Sequence, residues 1–267
     1  MKLDLNTVHT FECGQCFRFN ANEKGEYIGV SGGRVCRIDN DNNLFCESAD
    51  IEYWHNFLSL NTDYEKIKNE LLLRDEKLKP CIEFGAGIRI LKQEIWETII
   101  SFIISANNNI PRIKKIIEGI CKSFGEEIEF EGNKYYSFPT AEKIATLNLE
   151  DLAHLRAGYR DKYILDAAIK VSSGEVNLAE IEDMTDSDAK KTLMKIKGVG
   201  GKVADCIMLF SLGRFSVFPK DVWIKRILNE VYDVEEKDAD VFVEKKYGEL
   251  AGFAQQYLYY YFRTTKE

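Results

Sequence analysis

LMKIKGVGGKVADCIMLFSLGRFSVFPKDVW, residues 193–223, is the stretch from which the rest of the chain is read. An apolar helical run stops at Lys197, and Gly198, Gly200 and Gly201 then surround a single apolar residue, Val199. Glycine serves where backbone takes a positive φ or must approach another surface with no Cβ between. Lys202 stands where a second helix begins, and Val203, Cys206, Ile207, Phe210 and Ser211 space as its one buried face. Such a turn aims free N–H groups outward at a helix N-terminus, which holds anions and suits a phosphodiester. Downstream, Pro219-Lys220-Asp221-Val222 places a carboxylate at the entry to a third helix.

The hairpin, its lysine and the following aspartate together resemble the helix-hairpin-helix–GPD superfamily of base-excision DNA glycosylases. The sharper match, GVGGKVADC followed by PKDV, resembles the 8-oxoguanine DNA glycosylase branch. Plainer readings exist for each part. Glycine turns are common between helices, a lysine at a helix start is ordinarily a solvated residue, and Asp221 also suits an N-cap. Two alternatives follow: a non-enzymatic helix-hairpin-helix DNA-binding module, or a glycosylase of the same fold for another damaged base. The first leaves the Lys202/Asp221 pair unexplained. Alkyl-adenine relatives lack the hairpin lysine.

Composition bounds the class. The 267 residues can bury a sizeable core, with 45% hydrophobic and 30% charged residues as in ordinary soluble chains. Met1-Lys2-Leu3-Asp4 leads into mixed polarity, so no secretory leader is expected, and the apolar run near Ile95–Ala106 is too short to span a bilayer. The seven scattered cysteines suit free thiols in a reducing compartment. Cys13-Gly14-Gln15-Cys16 has metal-knuckle spacing but no second pair to complete a zinc site. No cysteine follows Cys206, which excludes a four-cysteine iron–sulfur cluster in the usual place for the endonuclease III and adenine-glycosylase branches. Net charge is −8, unusual for a chain that grips phosphates.

Periodicity divides the chain into β then α, an α+β class. Cys16–Asn20, Glu26–Val30, Arg34–Asp39 and Leu44–Glu47 read as strands of an antiparallel meander, separated by turn residues. Two helical stripes fill Ile51 to Lys79, giving an expected N-terminal β domain with flanking helices over 1–85 and a helical region over 86–267. Gln93–Ala106 is apolar almost all round and should lie at the centre of the helical part. Glu126–Pro139 reads as an acidic loop, and Arg156–Arg160 as a break before a helix that ends at Ser173. The resemblance adds that the helical region is a glycosylase domain of two subdomains with the active site in the cleft between them.

The site residues follow from the resemblance. It makes Lys202 the nucleophile, and burial at a helix N-terminus is expected to disfavour its ammonium. Asp221 becomes the carboxylate that stabilises the sugar cation. Cys13-Gly14-Gln15-Cys16-Phe17-Arg18 matches a base-reading motif in which the Gly14 carbonyl faces the hydrogen that 8-oxoguanine, unlike guanine, carries on N7. Gln255 would bond the base's Watson–Crick edge, with Tyr259 and Cys206 on its two faces. Asn107 would fill the vacated stack, Tyr159 would act as the wedge, and Arg112 and Arg160 would read the orphaned cytosine. Gly198, Val199, Gly200 and Gly201 would hold DNA phosphate. Trp223 stands where relatives often carry histidine. The implied partner is double-stranded DNA containing oxidised guanine, with no membrane and a monomeric chain. No cofactor is required, although a cation at the hairpin carbonyls is left open, and the expected location is cytoplasmic, at the nucleoid in a bacterium or the nucleus in a eukaryote.

Overall fold

In the computed structural model, which describes residues 2–266, apolar–polar alternation between the early turns yields four antiparallel strands. They are β1 (Phe19–Ala21), β2 (Tyr27–Ser31), β3 (Arg34–Ile38) and β4 (Leu44–Cys46), paired in sequence order. Gly29 on β2 lies opposite Phe19 and Cys36. The Phe19 ring occupies the space a Cβ at Gly29 would need, 2.1 Å away, so this strand position demands glycine. That ring stacks on Phe11 with centroids 4.0 Å apart and meets Trp54 and Phe57, forming the sheet's own core.

The acidic segment expected as a loop is instead a β-hairpin. β5 (Glu127–Phe130) pairs with β6 (Asn133–Tyr136). Glu131 and Gly132 between them both take positive φ, 49° and 74°, as a two-residue hairpin turn requires. Phe130 packs with Val30 and Val35 of the main sheet, and Glu131 accepts a two-pronged contact from Arg37. Its glutamates face solvent, which is why alternation on the other face was hard to see in the sequence.

The helical core is built round Ile95–Ser105, in which every residue from Thr98 to Ile104 is buried. Asn109 caps the next helix, Ile110–Phe124, by accepting from the Arg112 N–H at 3.0 Å. The cores do not part at residue 85. Tyr64, Leu71, Leu78, Cys81 and Ile82 belong to the same cluster as Ile103 and Tyr257, whereas Trp54, Phe57 and Leu58 belong to the sheet's core. Periodicity identifies a helix's apolar face but not its partner, and residues 64–84 pack on the helical core. Buried Asp75 fastens them there, accepting from Tyr232 Oη at 2.8 Å and Tyr247 Oη at 2.5 Å. No helix among the described residues is long and apolar enough to cross a membrane.

Candidate active site

The glycine hairpin is held from behind and open in front. Gly198 has φ +87°, and a Cβ there would come within 2.6 Å of the Tyr163 ring. No heavy atom lies within 4 Å of a Cβ built on Gly200, and Gly201 faces only the end of Lys190, at 3.6 Å. The helix Gly201–Phe210 starts without a side-chain cap, so its first N–H groups are left for an outside acceptor.

Lys202 opens that helix and projects into a cleft of about 780 Å³, where its ammonium lies 5.5 Å from the centroid of the Phe102 ring. Asp221 lines the same cleft as N-cap of the Val222–Tyr232 helix, accepting from the Ile224 N–H at 2.8 Å. Trp223 and Lys220 sit on the cleft's rim beside it. Burial pushes the Asp221 carboxyl up, against the pull of the Ile224 N–H and Lys202.

Lys202 titrates opposite to expectation. Burial does disfavour its ammonium, but Cys206, Asp221 and Tyr259 outweigh burial and hold its pKa above the usual lysine value. Burial also raises Cys206, to about 11, so near neutral pH that group is a thiol.

Behind Lys202 the cleft narrows to a recess of about 40 Å³, lined by Gly14, Cys206, Gln255 and Tyr259 together with Lys202 and Asp221. The fold brings together these six residues, which the motifs single out. Gln255 is 5% exposed, and its Oε1 is buried with no hydrogen-bond partner among the described residues. An unpaired buried amide oxygen is costly, and a ligand donor in the recess would satisfy it.

The Gly14 loop is rigid. Gly14 has φ +82°, and a Cβ on it would stand 3.5 Å from the Tyr259 ring and 3.3 Å from Arg263. Beside it Gln15 is fully buried. Its amide donates to the carbonyls of Thr10 (2.8 Å) and Arg89 (2.7 Å) and accepts from the Leu91 N–H (2.9 Å). Gln256 adds a bond to the Cys13 carbonyl at 3.3 Å. The motifs assign Gln15, Gln256 and Arg263 no role of their own. Arg263 stands one helical turn beyond Tyr259, a spacing that places both on one face of the C-terminal helix, Ala251–Lys266.

Across the cleft, Asn107 is exposed with φ +51° at the end of the central helix. Exposed Arg112 donates to the Arg156 carbonyl at 3.0 Å. Tyr159, 52% exposed, carries the Arg160 guanidinium 4.5 Å from its ring centroid. Arg160 is placed otherwise than expected: only 3% exposed, it donates to the carbonyls of Ala106, Asn107 (2.9 Å) and Ala157 (3.1 Å). Three carbonyls satisfy a guanidinium fork well, so the side chain turns inward to hold the loop that carries Asn107.

Residues 1–99 match the family model "8-oxoguanine DNA glycosylase, N-terminal domain", and residues 100–252 match "HhH-GPD superfamily base excision DNA repair protein". The chain is 41% identical over 263 residues to the N-glycosylase/DNA lyase of Saccharomyces cerevisiae, covering 87% of this chain and 70% of that protein. The solved Clostridium acetobutylicum 8-oxoguanine glycosylase/lyase, in complex with dsDNA containing cytosine opposite 8-oxoG, superposes with TM-score 0.92. It is 40% identical, covering 99% of this chain and 94% of that one. MBOgg1, solved with a low affinity DNA ligand, gives TM-score 0.93 at 45% identity over 100% of this chain and 94% of that one.

Proposed function

The chain belongs to the HhH-GPD superfamily of base excision DNA repair proteins, and from that premise we propose that it extrudes 8-oxoguanine from duplex DNA, excises it and then cleaves the strand. The observation that carries this reading is the recess, where a lysine, a carboxylate and an unpartnered buried amide oxygen converge.

Cleaving the glycosidic bond builds positive charge on the sugar as the base leaves. Asp221, rigid because it caps a helix, supplies the opposing charge. The Lys202 amine, once its proton is lost, bonds to the anomeric carbon while the base departs with the bonding electrons. Ring opening gives an imine, loss of the adjacent proton follows, and the 3′ phosphate is eliminated. The base must leave the duplex to reach this site. The extruded base would lie between Tyr259 and Cys206, with the Gly14 carbonyl accepting from N7–H and Gln255 Oε1 accepting from the Watson–Crick edge, once the recess of about 40 Å³ widens into the adjoining cleft to admit a purine. Asn107 and Tyr159 take the vacated space, Arg112 reads a cytosine partner, and the Gly198–Gly201 turn holds phosphate. The chain acts as a monomer on double-stranded DNA in the cytoplasmic or nuclear compartment that houses it, and requires no cofactor.

Incubation with a duplex carrying one 8-oxoguanine in the presence of borohydride tests the assignment. Covalently linked protein–DNA is expected from the unmodified chain, with trapping and strand cleavage lost in Lys202→Gln while lesion binding persists. Trapping that survives in Lys202→Gln would move the nucleophile elsewhere.

A further inference from the structure

The helix Arg160–Ser172 connects the two DNA-facing parts that the proposed function uses separately. Arg160, Tyr163, Asp166 and Lys170 are spaced by three or four residues and so share one helical face. At the helix start Arg160 holds the Ala106–Asn107 loop through its carbonyls. One turn on, Tyr163 packs edge-to-face against Tyr159, with centroids 5.6 Å apart. The same ring lies against Gly198, where a Cβ would come within 2.6 Å of it. Asp166 then accepts from the Lys197 backbone N–H at 2.8 Å and pairs with the Lys197 and Lys170 ammonium groups, each at 3.2 Å. Finally Lys170 donates to the Lys195 carbonyl.

One rigid rod therefore grips the intruding loop at its first residue and the phosphate hairpin along the following turns. From Arg160 to Asp166 the rise is about 9 Å, roughly two to three base-pair steps of duplex. We propose that this helix sets the distance between phosphate grip and wedge, with Tyr163 as the positioning residue that transmits it. A phosphate seated on the hairpin then fixes where Tyr159 and Asn107 meet the base stack, so gripping and extrusion happen in register. This inference rests on the glycosylase reading. It adds a residue that touches neither the lesion nor the sugar and acts through Tyr159 and Gly198.

The test follows three quantities in the unmodified chain, Tyr163→Phe and Tyr163→Ala. They are extrusion, from the fluorescence of a 2-aminopurine beside the lesion; single-turnover excision; and affinity for undamaged duplex as a function of salt. Tyr163→Phe keeps the ring and should match the unmodified chain in all three. Tyr163→Ala should slow extrusion and excision together by tenfold or more, while undamaged-duplex affinity stays within about twofold and its salt slope is unchanged. Unchanged extrusion overturns the proposal. So does a loss of undamaged-duplex affinity and salt slope as large as the loss of excision, because Tyr163 would then merely support the hairpin. If Tyr163→Ala does not fold, Tyr163→Leu is judged by the same criteria. Absence of extrusion and excision in the unmodified chain would refute the glycosylase reading itself.

Discussion

At the scale of single residues, Lys202 and its neighbours determine how the site responds to pH. Its pKa is held above the usual lysine value, so the ammonium predominates near neutrality and amine attack grows as pH rises. Asp221 is among the groups holding that proton in place. Asp221→Asn removes the anion and lowers the lysine's pKa. Its single-turnover rise should begin at lower pH, with a reduced plateau because the sugar cation loses its counter-charge. Asparagine caps helices about as well as aspartate, so the melting temperature should barely change. A large stability loss would instead show that the charge of Asp221, beyond its capping bond, holds the fold. The two arginines should separate as well. Exposed Arg112→Ala should narrow the difference between excision opposite cytosine and opposite adenine, a readout typically worth about 1–3 kcal/mol. Buried Arg160→Ala frees the Ala106 and Asn107 carbonyls and should slow both reactions alike. Equal rates opposite both bases in the unmodified chain would remove the cytosine assignment from Arg112.

At the scale of elements, the Gly14 loop shows how a short segment at the recess is kept stiff. Gln15 ties it to Thr10, Arg89 and Leu91. Gln15→Ala removes a partner from the Arg89 carbonyl and the Leu91 N–H, at about 1–3 kcal/mol each where no water enters, while the Thr10 carbonyl keeps the Cys13 thiol. Chemical denaturation should show a loss on the order of 3 kcal/mol, and at permissive temperature preference for 8-oxoguanine over guanine should shrink more than DNA affinity does. Retained preference would separate loop stiffness from lesion reading. The hairpin, the capping Asp221 and the Gly14, Gln255 and Tyr259 positions were legible in the sequence, because glycine turns and recurring motifs are local signals. Other features were not. β5 and β6 were hidden by solvent-facing glutamates, and Arg160 turned inward toward carbonyls that only the folded Ala106–Asn107 loop presents. The direction of the Lys202 shift depends on which acids the fold gathers round it, and no spacing rule reports that.

At the scale of the whole molecule, net charge of −8 coexists with four cations on the cleft, although Asp240 and Glu236 pair with Lys220 and Lys225 and Asp221 faces Lys202. Lys202, Lys220, Lys225 and Arg263 line the cleft, and uncapped helix N–H groups add positive potential without formal charge. Affinity for duplex should therefore fall steeply with salt, since counterion release depends on phosphates contacted and not on total charge. A flat response between about 50 and 200 mM salt would count against phosphate gripping by this face.

The bond from Gln256 to the Cys13 carbonyl spans 243 positions of chain, whereas the Lys197 N–H at the foot of the glycine turn bonds Asp166 only 31 positions away. Local contacts close quickly and distant ones late, because the chain entropy of a long loop must be overcome first. Refolding should thus deliver a protein that clings to any duplex before it delivers one that can tell a damaged guanine. In a time course from denaturant, binding to undamaged DNA should return first and borohydride trapping last. For that interval the molecule would hold DNA without distinguishing the lesion, because the contact between Gln256 and the Gly14 loop forms only once the two distant ends of the polypeptide have met.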